Sequence, residues 1–147
     1  MPFRSACPLI PQRLPEHVEQ ITARGQPLAL VIRAAIDPAA TTFITPPELE
    51  QQVGFVVYPR GGTVSRHAHR PVARHLARTG EVIVVRSGRC ELDVYDDQHA
   101  LVATRELGPG DIMVMIGGGH GFRMLEDTVL LEVKQGPYVG LQEKELF

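Results

Sequence analysis

Short apolar runs separated by glycine, proline and small polar residues set the pattern of this chain. Runs at residues 28–33, 53–58, 81–86, 90–95, 101–107, 112–116 and 128–134 have the length and β-branched content of strands, and residues 120–125 form a weaker candidate. Several alternate with a period of two. Cys90, Leu92 and Val94 share one face, as do Val129, Leu131 and Val133. Ser87-Gly88 and the stretch Gly108-Pro-Gly-Asp111 read as turns between strands. Only residues 16–24 show helix-like spacing, with Val18 and Ile21 three apart and Gly25 placed to end the helix. Residues 36–52, with Pro38, Pro46 and Pro47, predict a loop or irregular arm.

The 14 glycines and 12 prolines fall between the apolar runs, as in a meandering antiparallel protein. Many short strands with regular turns predict an all-β barrel or sandwich, because closure removes the exposed edges that invite aggregation. At 147 residues the chain is about one domain long. It divides into an N-terminal arm with a short helix and strand (1–52), a barrel core (53–135) and a C-terminal tail (136–147).

Composition narrows the functional classes. Hydrophobic residues make up 44% and charged residues 22%, with a formal net charge of −2. Near-neutrality carries no footprint for nucleic acid or an anionic membrane, so a small-molecule ligand is the expected partner. No apolar run approaches a membrane span and the first residues lack a secretory pattern, so a cytoplasmic location is expected. Cys7 and Cys90 are too few for a disulfide framework and read as reduced thiols.

The candidate chemistry lies in the histidines. His67 and His69 stand two apart, so on an extended strand both rings point to one side. Glu81 opens the most apolar strand, where an unpartnered carboxylate is costly to bury and a metal partner would remove the cost. His120 follows Gly117-Gly118-Gly119, which lets the chain turn tightly and bring the ring inward. Three imidazoles and a carboxylate suit one divalent transition metal (Zn, Fe, Mn, Ni or Co), with open positions for water or substrate. His75, in the long loop before Glu81, is the alternative third ligand. Arg66, Arg70, Arg74 and Arg78, spaced four apart, read either as an anion site or as one solvated helical face. Glu132 and Lys134 share a face of the last strand, and Tyr58 and Tyr138 are candidates to close a pocket.

Together these residues resemble the cupin superfamily. Its first motif, a glycine, five residues, His-x-His, a short gap, a glutamate, six residues and a glycine, is similar to Gly61, His67, His69, Glu81 and Gly88. Its second motif is similar to Gly110-Asp111 followed by His120. Here eleven residues rather than three or four separate His69 from Glu81. The resemblance covers roughly residues 53–135 and implies a single-domain antiparallel β-barrel of the jelly-roll kind, with His67, His69, Glu81 and His120 as metal ligands. It also implies a homodimer, with residues 28–33 in an arm ahead of the barrel.

The stretch from Glu132 to Tyr138 further resembles the close of cupin-type mannose-6-phosphate isomerase domains. That likeness implies a sugar or sugar-phosphate isomerase or epimerase using the metal as a Lewis acid. His75, Glu132 or Lys134 would then supply the base, Arg74 or Arg78 would hold a phosphate, and Tyr58 would border the ligand. Two alternatives stand beside it: a small-molecule binding or sensory module without turnover, and an Fe(II)- or Ni-dependent dioxygenase.

Overall fold

The computed structural model describes residues 13–147, so Cys7 and the start of the proposed arm lie outside the described residues. Ten strands follow in order: β1 (Val18–Ala23), β2 (Gln26–Ile32), β3 (Thr42–Phe43), β4 (Gly54–Phe55), β5 (Glu81–Ser87), β6 (Cys90–Tyr95), β7 (Leu101–Leu107), β8 (Ile112–Met115), β9 (Gly119–Met124) and β10 (Val129–Lys134). A 3-10 turn, Leu141–Glu143, lies in the C-terminal tail. The fold is all-β. Its strands form a five-stranded sheet ordered β1-β2-β8-β5-β10, a three-stranded sheet ordered β7-β6-β9 and a two-stranded ribbon of β3 and β4. Among the described residues every pairing is antiparallel, and none of the three sheets closes on itself.

The helix expected over residues 16–24 is not present; β1 occupies that stretch. Two local features explain the correction. Val18, Ile21 and Thr22 are β-branched and lose rotamer freedom in a helix. Arg24 and Gly25 both have positive φ, 52° and 72°, the conformation of a tight two-residue hairpin turn that sends the chain back as β2. Gly25 therefore turns a hairpin instead of capping a helix. The register runs from Val18 opposite Ile32 to Ala23 opposite Gln26, with one irregularity at Ile21 and Thr22.

Strand β2 is the hinge of the core because both of its faces are covered. Pro27 to Ile32 are all buried, which accounts for an unbroken apolar run where a half-buried strand would alternate. On one side Ala29 and Val31 join Ile83, Val85, Met113 and Met115 against Leu92, Val94 and Cys90 from the three-stranded sheet. On the other side Leu30, Ile32 and Val114 pack against Ile44, Val53 and Phe55 from the arm and the β3–β4 ribbon. The arm thus covers the back of the larger sheet. Asp111 ties the β7–β8 turn to this arm by accepting hydrogen bonds from the Ala34 and Gly108 backbone N–H groups at 2.8 and 2.9 Å. It also pairs with the Arg33 guanidinium at 3.1 Å.

The strand expected over residues 53–58 shortens to Gly54–Phe55. From Val56 to Thr79 every residue is exposed and none is in a strand. Gly61-Gly62, Pro59 and Pro71 interrupt the extended chain or remove an amide donor. The remaining expected strands form, and Ser87-Gly88 turns β5 into β6 with Gly88 at φ 82°.

Candidate acid–base and metal centre

Register decides which side chains enter the space between the two larger sheets. Glu81 pairs with Lys134 on one side and Met115 on the other, and it alternates with the buried Ile83 and Val85. It therefore faces inward. On the opposing sheet His120 pairs with Val94 and Phe122 with Leu92, so both aim toward the same space. Glu81 Oε2 and His120 Nε2 meet at 3.4 Å, with side chains 16% and 23% exposed. Glycine makes this approach possible. At Gly118, φ is 66° and a Cβ would collide with the Tyr95 carbonyl, so only a glycine lets β9 begin so soon after β8.

Glu132, two residues before Lys134 on β10, shares the inward face with Glu81. The two carboxyls are linked electrostatically. His120 holds the Glu81 carboxyl well below its usual range, against the opposing effect of burial, and a hydrogen bond from Glu132 adds to the lowering. Glu132 is pushed up, first by its hydrogen bond to Glu81 and then by burial and repulsion from the same carboxylate, while Lys134 and Lys144 pull it down. One member is thus kept ionised and the other is favoured as the proton carrier. Lys134 Nζ lies 3.8 Å from Glu143 Oε2 and 5.3 Å from the centroid of the Tyr138 ring.

His67 and His69 stand apart from this cluster. Their rings meet edge to face with centroids 5.2 Å apart, and His67 Nδ1 lies 2.8 Å from the Ser65 carbonyl. Both belong to the exposed 56–79 segment. Among the described residues, no three His, Cys, Asp or Glu side chains gather so as to hold a metal. The four expected ligands therefore stand as two pairs. Glu81 and His120 have the donor chemistry for half of a divalent site, and among the described residues no third such side chain gathers with them so as to hold a metal.

His75 joins Arg74, Arg78, Gln135, Pro137 and Glu143 around an open cleft of about 460 Å³. Arg78 also reaches the Ile116 carbonyl at 3.4 Å. This cleft is continuous in sequence with the carboxylate cluster: Thr79, on its wall, is two residues from Glu81, and Gln135 adjoins Lys134. Arg74 and Arg78, proposed to hold an anion, are thus brought together, whereas Tyr58 is exposed and lies outside the cleft. Glu143 and Lys144 were not singled out from the sequence. They come from the tail, and only their contacts with Lys134 and the two glutamates give them a role.

Compared with known proteins, the chain matches no protein-family model, no curated protein and no solved structure. Among the described residues, no helix is long and apolar enough to cross a membrane.

Proposed function

We propose that this is a cupin-type protein acting on a sugar or sugar phosphate as an isomerase or epimerase. One observation carries the reading: Glu81, His120 and Glu132 converge on rigid strands, and an arginine-lined cleft starts two residues from Glu81. The order of the histidine and glutamate motifs supports the cupin assignment. In this reading the two facing sheets are the halves of its barrel.

Aldose–ketose isomerisation and epimerisation beside a carbonyl both begin with removal of a proton from a carbon next to the carbonyl. Arg74 and Arg78 hold the anionic end of the substrate by charge-assisted hydrogen bonds. The carbonyl end then lies toward the inward face of β5 and β10. In its ionised form Glu132 accepts the carbon-bound proton and returns it to the neighbouring carbon; epimerisation at the same carbon requires the enediol to turn over before the proton returns. Glu81, kept ionised by His120, prevents the pair from holding two protons at once, and Lys134 offers positive charge to the oxygen that gains electron density. The divalent metal of the motif belongs to this reading with His67 and His69 brought up to Glu81 and His120.

Incubation with aldose and ketose phosphates in deuterated water tests the proposal by NMR. Deuterium is expected at the carbon next to the carbonyl, together with isomer or epimer product. Glu132→Gln is expected to slow exchange by roughly 100-fold or more, whereas Arg78→Ala raises KM for phosphorylated substrates above that for neutral ones. Thermal stabilisation by sugar phosphates with no exchange in any of them would reassign the site to binding without turnover.

A further inference from the structure

The cluster on the body and the histidines on the 56–79 segment each lack what the other carries. We infer that this segment is exchanged between two copies of the chain, so that His67 and His69 of one copy complete the Glu81–His120 site of the other. The inference rests on the metal-site reading above.

Three independent observations support it. The first is exposure. The segment is anchored where Thr41 exchanges hydrogen bonds with Val57 and where Arg78 reaches the Ile116 carbonyl, and everything from Val56 to Thr79 is exposed. Val64 and Val72 are 58% and 59% exposed, an apolar display that burial against a partner would relieve. The second is charge. Residues 56–79 carry five arginines and no acid, which leaves ten basic against seventeen acidic residues in the rest of the chain. A near-neutral protein is thus divided into a basic arm and an acidic body, and the natural complement of each is the other.

The third is the set of open edges bordering the site. Among the described residues, strand β9, which carries His120, pairs with β6 alone, and β10, which carries Glu132, pairs with β5 alone. An edge strand presents unpaired backbone groups along its open side. An extended arm laid along such an edge satisfies them by strand addition. Period two then places His67 and His69 on the face toward the site and Val64, Ala68 and Val72 on the other. On β10 that other face already exposes Val129, Leu131 and Val133. A two-fold arrangement builds both sites at once.

Subunit mixing tests the exchange. His67→Ala/His69→Ala chains and Glu81→Gln/His120→Ala chains are each expected to lose bound metal. Refolded together at equal ratio, they form mixed dimers in which one site unites an intact arm with an intact body. About one quarter of the wild-type metal content should return. A wild type that holds its full complement of metal, with no recovery in the mixture, places the histidines in their own chain's site and overturns the inference.

Sedimentation gives a readout that does not depend on metal. The wild type should be a dimer and Val64→Asp/Val72→Asp a folded monomer, with strand content checked by circular dichroism. A dimer insensitive to both substitutions overturns the exchange, as does a monomeric wild type, including one whose basic arm is retained on a polyanion. A dimer that dissociates on substitution yet binds no metal upholds the exchange and removes the metal from the proposed function.

Discussion

Asp111 shows how much one side chain can organise. Its carboxylate receives two backbone N–H groups and the Arg33 guanidinium while only 13% exposed. Removing it leaves these donors without an acceptor, so Asp111→Ala is expected to lower stability by about 1–3 kcal/mol in urea unfolding. A loss no larger than at an exposed control position would show that water replaces the carboxylate. Glu19 is a second organising group, joining β1 to β7 through a two-oxygen contact with Arg105 Nε at 2.9 and 3.0 Å. That hydrogen bond, the largest cause, lowers the Glu19 pKa against burial. The folded state therefore prefers the ionised carboxylate. Its contribution is complete above the unfolded carboxylate range and is lost as pH falls through the folded value. Urea midpoints at neutral pH and in acid should show the wild type's advantage over Glu19→Gln shrinking on acidification; an equal difference at both would contradict the linkage.

At the scale of elements, turns carry the instructions most tightly. Gly88 joins β5 to β6 with φ 82°, and a Cβ there would press on the Asp127 carbonyl and Thr128. Gly88→Ala should therefore destabilise by at least about 1–2 kcal/mol, the cost of a left-handed residue with a side chain. Thermal unfolding measures it, and unchanged stability would mean that the hairpin relaxes without loss. The Ser87-Gly88 turn, the Gly108-to-Asp111 turn and most long strands were legible because their signals are local: a positive-φ residue between two alternating runs. Residues 16–24 were not. Val18 and Ile21 fit either period, and the choice fell to pairing with β2, which covers an apolar strand that would otherwise be an edge. The two-stranded ribbon was likewise hidden, since Thr42–Phe43 is too short to show a period.

Across the whole molecule, metal binding and stability are linked. If Glu81, His120, His67 and His69 bind one ion only when the fold is intact, a free metal concentration a hundred-fold above Kd should stabilise by about 2.7 kcal/mol. The expected result is a higher Tm with a fitting divalent ion and none of that gain in His120→Ala. A Tm unmoved by Zn, Fe, Mn, Ni or Co in the wild type would remove the ion from the site.

Sequence alone determined the all-β class, the main turns and the residue types of the site, because strand period, glycine placement and donor chemistry are properties of a few neighbouring residues. It also marked Glu81 and His120 as inward-facing, through an isolated acid on an apolar strand and a ring behind three glycines. Tertiary structure alone decided that these two meet across the sheets, that Glu132 joins them, and that Arg74, His75 and Arg78 border one cleft. It also placed His67 and His69 edge to face with each other on the exposed segment before β5. The reason is physical: motif spacing fixes which way neighbouring side chains point along a strand, whereas their encounter with distant groups depends on which sheet edge the strand joins.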